Sequence, residues 1–299
     1  MSTDAVTRRE SGGQYSRASM MRVLSHLASR AMTAFGLVRM NMSSATIASI
    51  YRYPVKGLTH ERLDRVDLTP GQTLPADRRY AIENGDSGFD PAHPQWKAKT
   101  HYLMLMRNER LAALDSHYDD ATHVLTIRKH GHEAVRGDLA TDAGRKAVED
   151  WFTANFAAEL RGTPRILSAP NYSFSDVPKK VVSLINLASV AAVAAMVKAA
   201  VDPLRFRGNL MVSGWPAWHE FDLLGHTLTI GDARLRIVKR IVRCAATNVD
   251  PATAERDMNI PQTLMRELGH ADLGVYAEVI SGGEVATGDA IGANQQATA

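Results

Sequence analysis

One cysteine, Cys244, stands in 299 residues. A single thiol cannot close an internal disulfide or supply the four thiolates of a zinc ribbon or iron–sulfur cluster, so any electrons must come from a partner. The same scarcity fits a reducing compartment, and a cytoplasmic location is expected. No Gly-x-x-x-x-Gly-Lys phosphate loop, Gly-x-Gly-x-x-Gly fingerprint or Gly-x-Ser-x-Gly elbow occurs, which removes three common catalytic frameworks. Long apolar runs are also missing. Residues 31–38 are too few to cross a membrane, and the alanine-rich run 187–201 is short and carries Lys198. Net charge is only +3, with no basic run interleaved with aromatics, so neither a membrane span nor a nucleic-acid face is expected.

Acidic residues are absent between Glu10 and Glu61, while Arg17, Arg22, Arg30 and Arg39 alternate with small and apolar residues. That composition fits an organelle transit peptide, or an upstream stretch before a true start at Met20, Met21, Met40 or Met42. Residues 1–45 are read as a mobile extension. Beyond them, a hydrophobic content of 45% suffices for one large core or two smaller ones.

Residues 46–53 are β-formers ending at Pro54, so a strand should run into a turn that carries Lys56 and Gly57. Short strands are expected at 62–68 and 79–82, a long loop at 85–94, and a hairpin pairing 111–114 with 124–127. Thr141 and Asp142 can cap a helix whose face Ala147, Val148, Trp151, Phe152 and Phe156 should pack inward. Strands at 165–167 and 181–185 precede a helix over 187–201. From residue 207 onward, strands with glycine turns predominate (208–212, 226–230, 233–242, 275–280 and 285–291), a pattern that suggests a closed β-barrel. Pro261 and Gly269 bracket one further helix.

Cys244 ends the apolar run of 233–242 and follows the cations Lys239, Arg240 and Arg243. A cysteine in such a place is either a small buried hydrophobe or a thiol whose cationic neighbours favour the thiolate, the nucleophile and soft metal ligand. Arg243-Cys244-Ala245-Ala246-Thr247-Asn248-Val249-Asp250-Pro251, preceded by Arg205-Phe206-Arg207-Gly208-Asn209 and by Tyr53-Pro54-Val55-Lys56, resembles the MOSC family, which is related to the C-terminal part of molybdenum-cofactor sulfurases. The resemblance extends from Ile47 to Ile291 and is nearest the stand-alone group that includes the amidoxime-reducing component.

It implies a mixed α+β, β-rich fold, with an N-terminal small β-barrel over residues 46–168, a MOSC-type β-barrel over 169–294 and a few packing helices. It also implies a molybdenum cofactor (Mo-molybdopterin) contacted by Lys56, Gly57, Arg78, Asn186, Arg207, Asn209, Arg243 and Tyr276, with Cys244 as catalytic residue and metal ligand. Arginine suits paired hydrogen bonds to phosphate, and a bare glycine lets backbone come close. Asn186 is equally readable as a helix cap, and Tyr276 as a half-buried strand aromatic. Asp250 could shape the loop after the cysteine, orient Arg243 or handle a proton.

The activity implied is an oxidoreductase that reduces N-hydroxylated or N-oxide small molecules. Its electrons would come from separate flavin and heme or iron–sulfur proteins. The alternatives are a sulfur carrier whose Cys244 persulfide is supplied by a separate pyridoxal-phosphate-dependent cysteine desulfurase, and a non-catalytic cofactor carrier. Three positions depart from the family pattern. Gly57 replaces a common serine, Gly208 a common proline, and Ala254 a glycine, so residue 254 either avoids positive φ or is strained.

Overall fold

Alternating buried and exposed residues in short β-branched stretches build most of the molecule. The computed structural model describes residues 45–294, and the readings of the extension before them lie outside the described residues. In chain order come β1 (Thr46–Arg52), β2 (Glu61–Leu63), β3 (Arg65–Leu68), β4 (Ala81–Glu83), β5 (Asp115–Tyr118), β6 (Val124–Lys129), β7 (His132–Asp138), α1 (Asp142–Asn155), β8 (Arg165–Leu167), β9 (Val182–Asn186), α2 (Leu187–Val197), β10 (Leu210–Ser213), β11 (Thr227–Ile230), β12 (Ala233–Val242), α3 (Ile260–Leu268), β13 (Asp272–Ser281), β14 (Gly283–Ala286) and β15 (Ile291–Asn294). The fold is mixed α+β and β-rich.

Eight strands form one sheet in the order β15-β11-β12-β13-β9-β10-β1-β2. The sheet curls until its ends meet: Thr46 bridges Ala290, and Ile47 exchanges backbone hydrogen bonds with Asp289 and Gly288. Closure removes exposed edges and encloses a core. Ile47, Ile50, Leu184, Val212, Leu235 and Ala277 are fully buried in it, and Trp215 closes one side. A second core joins β5, β6, β8 and α1 through Leu125, Ile127, Ile166, Val148 and Phe152. The sheets draw strands from both sides of residue 168. β1 and β2 belong to the eight-stranded sheet, and β14 pairs with β3.

Local signals explain the helix ends. The Thr141 hydroxyl accepts from Gly144 N, capping α1, and Asn186 caps α2 through Ala188 N. α2 stops at Lys198, which takes the left-handed conformation (φ 58°), so it ends short of residue 201. Pro261 opens α3 and Gly269 closes it.

Three expectations are corrected. Residues 111–114 are not a strand: a 3-10 turn covers Glu109–Ala113, and Asp115–Tyr118 pairs with β6 instead. The apolar residues there are buried by the turn, with Leu111 and Leu114 in the second core. Ala147 is exposed, because the buried face of α1 is set by Val148 and Phe152. The strand expected over 285–291 is two strands, broken where Thr287 and Gly288 turn to pair with Asp64 and Ile47.

Candidate functional site

β12 runs into the cysteine with three irregularities in its pairing to β13, two of them near its end, at Ile237/Lys239 and at Arg240/Val242. A regular strand would alternate its side chains between two faces, whereas these bulges let Lys239, Arg240, Ile241, Val242, Arg243 and Cys244 all reach one cavity. Cys244 is half-buried and precedes the 3-10 turn Ala245–Asn248. The cavity has a volume of about 280 Å³.

The turn after β1 brings Lys56 and Gly57 to the wall, the residues before β4 bring Arg78, the link into β10 brings Arg207 and Asn209, and β13 brings Tyr276. Arg78 and Arg207 both hold left-handed backbone (φ 51° and 50°), a strained state for non-glycine residues that recurs at functional sites. They support each other. Arg78 donates to Asp77 at 2.6 Å and to the Arg207 carbonyl at 2.9 Å, and both guanidinium groups lie over Tyr53, 4.5 and 4.2 Å from its ring centre.

Charge in the cavity is unbalanced. Lys56, Arg78, Lys99, Arg207, Lys239 and Arg243 line it, against Asp77 and Asp176; Arg205 and Arg240 also touch the wall, but the first is neutralised by Asp250 and Asp257 and the second lays its guanidinium over the Phe221 ring. Arg243 is held by carbonyls, donating to Leu273 and, at 2.9 Å, to Phe206. Arg207 has no hydrogen-bond or carboxylate partner among the described residues beyond the Tyr53 face. Burial pushes the pKa of both guanidinium groups down to about 10, with nearby Tyr53 and Tyr276 opposing the shift. Burial also raises the phenols, Tyr53 to about 12, against the pull of the arginines.

Lys56 is buried and donates to the Phe174 carbonyl at 2.8 Å and to Asp176, and burial lowers its pKa against the pull of that carboxylate. Asp176 also meets Lys99 at 3.3 Å, and Lys99 donates to Cys244 Sγ at 3.2 Å. Burial alone would raise Asp176, but Lys56 and Lys99 outweigh it and hold the carboxyl well below its usual range. For Lys99, burial is outweighed by Asp176 and the Cys244 sulfur, so its pKa is raised.

Asn209 reaches the wall with its amide committed: Oδ1 accepts from Ser183 N and Oγ, and Nδ2 donates to Tyr51 O at 3.1 Å. It therefore ties β9, β10 and β1 together at the cavity floor. Two expected site residues lie off the cavity wall. Asn186 is fully buried and, besides capping α2, donates to Pro216 O at 2.7 Å and Glu220 Oε2 at 2.8 Å, so its polar atoms are all engaged. Asp250 does not orient Arg243. Its Oδ1 accepts from Ala252 N and Thr253 N, and its Oδ2 from Arg205 at 2.6 Å. Arg205 is 1% exposed and also pairs with Asp257 at 2.7 Å, which pins the loop after the cysteine.

The profile of the MOSC N-terminal beta barrel domain matches residues 44–162, and that of the MOSC domain matches residues 171–292. The chain belongs to the MOSC domain family. A search of curated proteins returned no match. Among solved structures, the YuaD protein from Bacillus subtilis is 14% identical over 85% of this chain and 97% of its own, with a TM-score of 0.40. YiiM from Geobacillus stearothermophilus is 16% identical, covering 38% of this chain and 54% of its own, with a TM-score of 0.31. YiiM from Escherichia coli is 18% identical over 40% and 56%, also with a TM-score of 0.31.

In this MOSC protein, Lys99, Asp176 and Arg205 complete a site that the motifs outline only in part. Lys99 and Asp176 carry no motif of their own. Arg205 stood inside the Arg205–Asn209 stretch, and its burial against two carboxylates depends on Asp250 and Asp257, some fifty residues on. No helix of the described residues is long and apolar enough to cross a membrane.

Proposed function

We propose that this MOSC protein binds a molybdenum cofactor in the cavity, with Cys244 as the protein ligand to the metal, and acts as an oxidoreductase on N-hydroxylated or N-oxide small molecules. One observation carries the reading: a half-buried lone thiol shares a cavity with more cationic charge than its carboxylates neutralise. The residues fit such a group. Arg207 offers an unpaired guanidinium fork to a phosphate, and Arg78 and Lys56 stand on the facing loops. At Gly57 (φ +88°) an added Cβ would lie 2.8 Å from the Leu103 carbonyl, so the chain there keeps to bare backbone.

When bound, the cofactor would supply the redox chemistry that removes oxygen from an N–O bond, and electrons would arrive from separate flavin and heme or iron–sulfur proteins. The chain's own part is to grip the anionic end, present the sulfur and screen it from bulk water. Arg243, locked on two carbonyls, fixes the strand end that presents Cys244.

A second reading draws on Lys99. An ammonium 3.2 Å from the sulfur would also suit the terminal sulfur of a Cys244 persulfide delivered by a separate cysteine desulfurase. Elemental analysis of wild-type and Cys244→Ser protein, with extraction of bound pterin, separates the two. Stoichiometric molybdenum that falls sharply in the variant supports the oxidoreductase. Metal-free protein carrying sulfane sulfur supports the carrier.

A further inference from the structure

We propose that the molecule acted on at the sulfur end of this cavity carries a negative charge, and that Lys99 is the side chain that selects it. The inference rests on the reading of Cys244 as the functional centre, and narrows the substrate class that reading leaves open.

Lys99 Nζ stands 3.2 Å from Cys244 Sγ, so whatever is handled at the sulfur lies beside an ammonium group. The nearest carboxylate is Asp176, 3.3 Å from Lys99 and also bonded to Lys56. Its side chain is 45% exposed, comes from the segment just before β9 and meets both ammonium groups at the cavity's edge. A carboxylate of the chain itself thus marks where a foreign anion would sit. Lys239 reaches the same wall from β12 and pairs with no carboxylate among the described residues. A cationic substrate or product would be held against these groups with only Asp176 to offset them. A carboxylate, phosphate or other oxyanion would replace Asp176 and keep the same ion pairs.

Because Cys244 is the only thiol, every S-alkylated cysteine reports on this site. Iodoacetate and iodoacetamide deliver the same carbon with and without a negative charge, and at one pH both meet the same thiol, so the ratio of their rates is independent of its ionisation. The measurement uses metal-free full-length protein, with mass spectrometry as readout and the urea-unfolded chain as reference. The expected iodoacetate preference in the folded protein is at least about tenfold above the reference, equivalent to ~1.4 kcal/mol. Lys99→Gln should lower it by about fivefold or more, Lys99→Arg should retain it, and Asp176→Asn should raise it by removing the internal competitor.

A ratio equal to that of the unfolded chain, or one unchanged in Lys99→Gln while Lys99→Arg behaves alike, overturns the proposal. A thiol that neither reagent reaches overturns it too, since a small anion could not enter. Molybdenum content is measured separately: a molybdenum-loaded protein with no anion preference loses only this inference, and an anion-selective protein that never holds molybdenum loses only the cofactor reading.

Discussion

Arg207 shows how a single residue can serve binding at the expense of folding. Its guanidinium is desolvated with no carboxylate in contact, only the Tyr53 ring and the more distant Asp77 and Asp176, and its backbone is left-handed, so its side chain adds little to the ligand-free fold. Arg207→Met should therefore leave the protein as stable as wild type, or more stable by up to about 1 kcal/mol. Inorganic phosphate is expected to raise the melting temperature of the wild type, and Arg207→Met should abolish that rise, stability and phosphate response being read by urea and thermal unfolding. Asp176 makes a pH-dependent prediction. Its carboxyl is held below the ordinary aspartate range, so its contribution to stability is fully present above that range and is lost as pH falls through the lower, folded-state pKa. The stability gap between wild type and Asp176→Asn should be constant above about pH 5 and shrink in acid, and a gap independent of pH would mean the charge does not hold this segment. Residues inside contiguous motifs were legible in the sequence: Lys56, Arg207, Arg243 and Cys244 all reach one cavity. Lys99 and Asp176 were not, because only the folded chain brings residues 77 and 145 positions apart to the same ammonium.

At the scale of elements, the loop after Cys244 is the least regular part of the site and the most heavily tied. Asp250 holds it twice, by accepting from two backbone amides and by pairing with buried Arg205. Asn at this position keeps an oxygen for the turn and loses only the charge, whereas Ala loses both. Asp250→Asn should cost about 1–2 kcal/mol and Asp250→Ala about 1 kcal/mol more, read by urea unfolding. A proton-handling role would reverse the pattern, with Asp250→Asn inactive at unchanged stability. Ala254 in the same loop adopts φ 62°, so the strained alternative posed by its departure from glycine is the one realised. The other departures also have local causes. A Cβ at residue 208 would come within 2.2 Å of Ile185 Cγ1, which bars proline as well as alanine unless β9 shifts. Strand and helix periodicity placed most elements, and caps placed their ends. The misread 3-10 turn at Glu109–Ala113 had apolar residues but no alternation to distinguish it from a strand.

At the scale of the whole molecule, the cavity takes walls from both halves of the chain, with Lys56, Arg78 and Lys99 from the first and Arg207, Cys244 and Tyr276 from the second. The halves are interlaced by their strands. β1 and β2 complete the large sheet, β14 pairs with β3, and Arg52 on β1 bonds Asp120 beyond β5 at 2.5 Å. From the other side, Arg256 in the cysteine loop donates to the carbonyls of Leu105 and Met106. The two cores use different strands, but the chain passes from one to the other and back and a polar seam joins them, so loss of either should unfold both. Calorimetry of the full chain should give one transition whose calorimetric and van't Hoff enthalpies agree. Two resolved transitions would mean that the β5–β7 hairpins and α1 melt apart from the large sheet. The cavity would then lose Lys56, Arg78 and Lys99 while the cysteine strand stayed folded, and anion binding would disappear with the first transition.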